Sequence, residues 1–87
     1  MIAYTHRRFD KRYAKLPKKV QERFKDRRNI FLSNPFDPIL ENHPLTGEYA
    51  GCRSINVTGD YRAIFYHVSD SIVRFIKIGT HHELFGT

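Results

Sequence analysis

The sequence predicts an α+β domain in which an N-terminal helical hairpin packs on a small, mostly antiparallel sheet, with a short N-terminal strand and a short C-terminal segment. Three observations carry that expectation. Apolar residues recur at helical spacing through roughly the first third of the chain, a stretch rich in proline and glycine follows, and the remainder runs as short β-type segments separated by turn residues. Residues 1–87 are expected to form one domain, because a second core needs more chain than the first leaves over.

Ile2 to Tyr4 reads as the short strand. A first helix starts near Thr5 or His6, where Phe9, Tyr13 and Leu16 fall at spacings of four and three and form one apolar stripe. Pro17 marks a break at a position where a new helix can begin. Val20, Phe24 and Phe31 continue the stripe until Asn34 and Pro35 stop it. From Ser33 to about Gly51, with Pro35, Pro38, Pro44 and Gly47, the pattern is that of a loop whose length is usually functional or disordered. Three strands follow in an antiparallel meander: Cys52 to Val57, Tyr61 to Val68, and Ser71 to Ile78.

Register decides which side chains meet. A three-residue loop of Thr58, Gly59 and Asp60 is preferred to a two-residue turn, because it gathers Ile55, Val57, Tyr61, Ala63 and Phe65 on one face and pairs Asn56 with Arg62. A two-residue Ser69-Asp70 turn would then set Arg62 opposite Lys77 and add Ile72, Ile76 and Ile78 to the core face. The other face would carry Asn56, Arg62 and Lys77 beside an apolar patch of Ile64, Tyr66, Val73 and Phe75. Two cations held side by side are favourable mainly when an anion such as phosphate lies across them. Without one, Arg62 and Lys77 extend to solvent or pair with Asp60 or Glu83.

Fifteen Lys and Arg against nine Asp and Glu give a formal charge of +6 and a pI near 9.8. Nine of the fifteen lie between Arg7 and Lys25, and Arg27 and Arg28 follow. This predicts attraction to a polyanion or an acidic partner. No segment has the length and apolarity of a membrane span, and the first residues lack a signal peptide's apolar run, so no membrane partner is expected and the cytoplasm is the expected compartment. Cys52 has no cysteine to pair with and is read as a small buried residue.

Cleavage of RNA without a metal needs a base for the 2′-hydroxyl, an acid for the leaving 5′-oxygen, and cations for the charge on the phosphorane. Histidine suits the first two tasks and arginine the third. An aromatic ring can hold an unpaired neighbouring base by stacking. The chain supplies His43 in the long loop, Asp60 in a turn, Arg62 and Lys77 on the sheet, His81 after the last strand, and Phe85 near the terminus. Each also has a plainer use: His43 ahead of Pro44 can cap the loop, and Phe85 can anchor the terminus. Metal binding by His81, His82 and Cys52 or Glu83 is disfavoured, since adjacent histidines in extended chain point apart. No metal site or cofactor is expected.

Two segments, HPLTGEYAGCRSINVTGDYRAIFYHV from His43 to Val68 and IGTHHELF from Ile78 to Phe85, resemble the RelE/ParE superfamily of toxins from bacterial toxin–antitoxin modules. They are most similar to its YafQ-like and RelE-like messenger-RNA endoribonucleases. The resemblance implies a RelE-like fold and a metal-independent ribonuclease that cuts messenger RNA in the ribosomal decoding site and is neutralised by a cognate antitoxin. It matches His43, Asp60, His81 and Phe85 to YafQ-like site residues, Tyr61 to an aromatic position, and Arg62 to the RelE-like strand arginine. Asn56 stands where YafQ-like toxins carry a further histidine, which moves proton transfer onto His81 and His43, with Asp60 as a possible complement. The expected catalytic set is therefore His43, Asp60, Arg62 and His81, and the expected substrate-binding set Asn56, Tyr61, Lys77 and Phe85. The rival readings are a ParE-like gyrase inhibitor, against which the histidines argue, and a catalytically dead module that binds RNA or antitoxin.

Overall fold

A computed structural model describes residues 1–86. The apolar stripes become two helices, α1 (Arg7–Ala14) and α2 (Lys18–Ser33), which share one hydrophobic core with one face of a five-stranded sheet. The strands are β1 (Ile2–Thr5), β2 (His43–Pro44), β3 (Arg53–Asn56), β4 (Tyr61–Ser69) and β5 (Ile72–Thr80), in spatial order β1-β5-β4-β3-β2. β1 runs parallel to β5, and the other pairings are antiparallel. A third helix, α3 (His81–Phe85), follows β5 directly. No described helix is long and apolar enough to cross a membrane.

Local chemistry sets the helix boundaries. His6 Nδ1 accepts the Arg8 backbone N–H at 3.0 Å and so caps α1. Gln21 Nε2 donates to the carbonyls of Tyr13 at 2.9 Å and Leu16 at 3.2 Å, and the Tyr13 hydroxyl donates to the Gln21 carbonyl at 2.7 Å. One glutamine of α2 thereby adds a second bond at the Tyr13 carbonyl, which already accepts the Leu16 N–H, and ties Leu16 to α2 at the hairpin corner. α2 stops at Asn34, held extended ahead of Pro35.

The core is aromatic. Phe9, Phe24 and Phe31 from the helices meet Phe65 and Phe75 from the sheet, with ring centroids 4.9 Å apart for Phe31–Phe65 and 5.3 Å for Phe24–Phe75. Edge-on and tilted contacts of this kind add to the hydrophobic gain from burying the rings.

The β3–β4 connection is as expected: the Val57 N–H donates to the Tyr61 carbonyl at 2.9 Å, and Asn56 lies opposite Arg62. The β4–β5 register is not. The turn is Asp70-Ser71, Arg62 faces Gly79, and Lys77 faces Ile64. Register shifts leave Val68 unpaired on β4 and Ile76 unpaired on β5. A one-residue slip exchanges the faces of a strand, so Val73 and Phe75 join the core, Ile72 and Ile76 are only half-buried, and Ile78 keeps its expected place. The expected apolar patch opposite the helices therefore loses Val73 and Phe75. Turn chemistry alone cannot foresee two compensating bulges, whereas burying a phenylalanine among four others favours them.

Two other regions also depart from expectation. The long loop is built, with a 3₁₀ turn at Pro38–Leu40, β2 within the sheet, and a second 3₁₀ turn at Gly47–Tyr49. Cys52, expected to be buried, is half-buried as a free thiol beside that second turn. The chain after Thr80 is helical, not extended, because Thr80 and Glu83 form a capping box: Glu83 N–H donates to Thr80 Oγ1 at 3.1 Å and Thr80 N–H to Glu83 Oε1 at 2.8 Å. A Cβ at Gly79 would lie 3.2 Å from that carboxylate oxygen, so α3 folds back over a strand position that has no side chain.

Candidate functional site

The sheet face opposite the helices holds a cluster assembled by β2, β3 and β4. Arg62 Nε donates to Ser54 Oγ at 3.1 Å, and its Nη2 donates to the Glu41 carbonyl at 3.1 Å. His43, brought against Ser54 by the short β2 ladder, has Nδ1 2.8 Å from the same Glu41 carbonyl and 3.3 Å from Arg62 Nη2. Asn56 Nδ2 donates to Glu41 Oε1 at 3.2 Å. Arg62 is half-buried, and burial pushes its pKa down, an effect partly offset by the nearby Glu41 carboxylate. Among the described residues the guanidinium nonetheless has only neutral hydrogen-bond acceptors and no ion pair. A partly desolvated guanidinium held by neutral acceptors is suited to a further, charged acceptor.

A second cluster lies next to the first on the same face. Lys77, diagonal to Arg62 across the β4–β5 pairing, donates from Nζ to the Tyr49 hydroxyl at 3.1 Å and sits 5.4 Å from that ring's centre. Tyr49 meets Phe85 edge-on at 6.0 Å, and Phe85 meets His81 at 4.9 Å. Thr46, Glu48, Tyr49, Leu84, Phe85 and Gly86 line a cavity of about 400 Å³. Lys77 also borders a cavity of about 230 Å³ with Arg8, Arg12 and Glu83, which brings the basic helix to the edge of the site.

Six of the eight residues expected in the site fall into two neighbouring clusters. His43, Asn56 and Arg62 gather around Glu41; Lys77, Phe85 and His81 gather around Tyr49. Asp60 joins through its backbone, whose carbonyl accepts the His81 N–H at 3.0 Å, while its side chain is exposed. Tyr61 is the exception, since it packs against the hydrophobic core on the helix side of the sheet. Sequence reasoning missed Glu41, Tyr49 and Ser54. Ser54 was legible from strand alternation, two positions before Asn56. The T-H-H-E signature of the α3 cap was legible too. Nothing in the sequence marks Glu41, whose backbone adopts the left-handed conformation at φ 48°, ψ 45°, at a cost of about 1–3 kcal/mol for a non-glycine residue.

Glu83 steadies the helix that carries His81 and Phe85. The Thr80 N–H bond is the largest of the influences holding its carboxyl below the usual 4.5, and Arg12, which ion-pairs with it, adds to this. A carboxyl whose folded pKa is depressed contributes stability that is present above its unfolded pKa and lost as pH falls through the folded value. The side chain is 44% exposed, so solvent screening limits the effect to well under about 1 kcal/mol. Acidification below pH 4.5 is expected to loosen α3, read as a shift of the Thr80 and Glu83 amide resonances, and Glu83→Gln should flatten that dependence.

The sequence model of the family described as "Bacterial toxin of type II toxin-antitoxin system, YafQ" matches residues 2–86. The chain is 33% identical over 82 residues to the mRNA interferase toxin YafQ of Escherichia coli strain K12, a match covering 85% of this chain and 88% of that protein. Its fold is similar to the crystal structure of YafQ from Escherichia coli strain BL21(DE3), with a TM-score of 0.78 at 27% identity over 97% of both chains. It is similar also to a chain of the Escherichia coli DinJ–YafQ toxin–antitoxin complex, with a TM-score of 0.75 at 27% identity, covering 97% of this chain and 96% of that one.

Proposed function

The chain belongs to the YafQ family of type II toxin–antitoxin toxins, and on that premise we propose that it is an endoribonuclease that cuts messenger RNA in the ribosomal decoding site and is held inactive by a cognate antitoxin. The observation that carries the chemistry is Arg62: a half-buried guanidinium with neutral partners only, beside His43 and diagonal to Lys77. The scissile phosphate lies across Arg62 and Lys77, whose charge stabilises the phosphorane. A histidine takes the 2′-hydroxyl proton, the 2′-oxygen attacks phosphorus, and a second acid protonates the leaving 5′-oxygen, giving a 2′,3′-cyclic phosphate and a 5′-hydroxyl. His81 and His43 share these two roles, with the exposed carboxylate of Asp60 as the alternative complement. Phe85 and Tyr49 wall a cavity of about 400 Å³, roomy enough for an unpaired base.

Incubating the protein with message in a translation reaction, with ribosomes present and absent, tests the reading. Cleavage only on ribosomes is expected. Cleavage in neither condition, with RNA or antitoxin still bound, would favour a binding module without chemistry, for which Asn56 in place of a histidine is the supporting feature; loss of DNA supercoiling would favour a gyrase poison. If the protein is a ribonuclease, His81→Ala is expected to lower kcat on the order of 10²-fold while the protein still folds cooperatively, since no buried core residue is removed. Undiminished cleavage by that variant would sink its assignment.

A further inference from the structure

We propose that Glu41 is a positioning residue for this reaction and that it acts through its backbone: the left-handed turn at Glu41 fixes the tautomer of His43 and the aim of Arg62. The proposal rests on the reading above, in which those two side chains work on the RNA.

The Glu41 carbonyl oxygen lies 2.8 Å from His43 Nδ1 and 3.1 Å from Arg62 Nη2. A carbonyl only accepts, so Nδ1 carries the ring proton and the Nε2 lone pair is left to take one. The 3.3 Å approach of Arg62 Nη2 to His43 Nδ1 is then two donors converging on one acceptor. With both lone pairs of that oxygen engaged, the imidazole and the guanidinium are set relative to each other.

The carbonyl points this way because Glu41 sits at φ 48°, ψ 45°, the one described non-glycine residue with positive φ. Right-handed or extended backbone would turn the oxygen away from both donors. The neighbours hold the turn from either side. Leu40 is fully buried, Asn42 Nδ2 donates to the Pro35 carbonyl at 2.9 Å, and Arg53 Nε donates to Asn42 Oδ1 at 2.7 Å. Such over-determined strain marks a position kept for what it orients. The Glu41 carboxylate has a separate task, accepting from Asn56.

Long-range proton–nitrogen NMR of the imidazoles at alkaline pH, where histidines are neutral, tests this on the wild-type protein without RNA. His43 is expected as the Nδ1–H tautomer, and a ring protonated mainly on Nε2 overturns the proposal. Glu41→Gly, which adopts the left-handed conformation freely, should keep the Nδ1–H tautomer of His43. Glu41→Val, disfavoured there, should mix the tautomers and lower kcat about 100-fold with KM for message little changed. A Glu41→Val protein with wild-type kcat overturns the proposal, whatever its spectrum. If Glu41→Val does not fold, the wild-type spectrum still decides. A wild-type protein that cleaves no message sinks the nuclease reading, while the His43 spectrum still tests the geometry by itself.

Discussion

Arg62→Ala is expected to lower kcat for message cleavage about 10³-fold or more, the scale on which a single arginine acts at a transferring phosphoryl group. Its stability should not fall with its activity. A guanidinium that anchors a fold usually ion-pairs with carboxylates, and removing it leaves a buried charge uncompensated. Arg62 instead donates to Ser54 Oγ and the Glu41 carbonyl, and burial lowers its pKa. Desolvation of the cation thus offsets much of what alanine loses by leaving the buried Ser54 hydroxyl without its donor, so the melting temperature should change little. Arg62→Lys keeps the charge but cannot reproduce the two fixed donors, and should recover only a small part of the rate. Both readouts are needed: a purely structural arginine would give a destabilised protein, and a surface arginine would change neither.

Much of this site was legible before the fold was known, for a physical reason. Asn56 and Arg62 meet because Thr58, Gly59 and Asp60 allow only one loop length that also puts Ile55, Val57, Ala63 and Phe65 on one face, so hydrophobic pattern and turn chemistry agree. His81 follows the last strand at the sheet end that carries Asp60, as its sequence position implies, although strand patterning does not foresee the capping box that makes the segment helical. What stayed hidden depends on tertiary context. Glu41 takes a conformation its own chemistry disfavours, and Tyr49 reaches Lys77 only because the loop folds back across β5. Tyr61 shows the converse: the resemblance puts it in the substrate-binding set, yet strand parity assigns it to the core side, where the same alternation groups it with Ala63 and Phe65.

The β4–β5 register sets up the second large effect. Under an unbulged pairing with a Ser69-Asp70 turn, Phe75 would lie on the face opposite the helices and Ile72 in the core. With Val68 and Ile76 unpaired, Phe75 instead lies fully buried, with ring centroids 6.0 Å from Phe9, 5.3 Å from Phe24, 5.7 Å from Phe31 and 5.3 Å from Phe65. Phe75→Ala should therefore cost about 3–5 kcal/mol. A domain of this size holds roughly 4–13 kcal/mol at 0.05–0.15 kcal/mol per residue, so the variant should melt at least about 12 °C lower or fail to fold. Ile72→Ala, at a half-buried position beside β1, should cost far less. Urea unfolding of the two variants measures the register directly. The reverse order, a large loss at Ile72 and a small one at Phe75, would mean that β5 pairs without its bulges; only with a Ser69-Asp70 turn as well would Lys77 lie directly opposite Arg62.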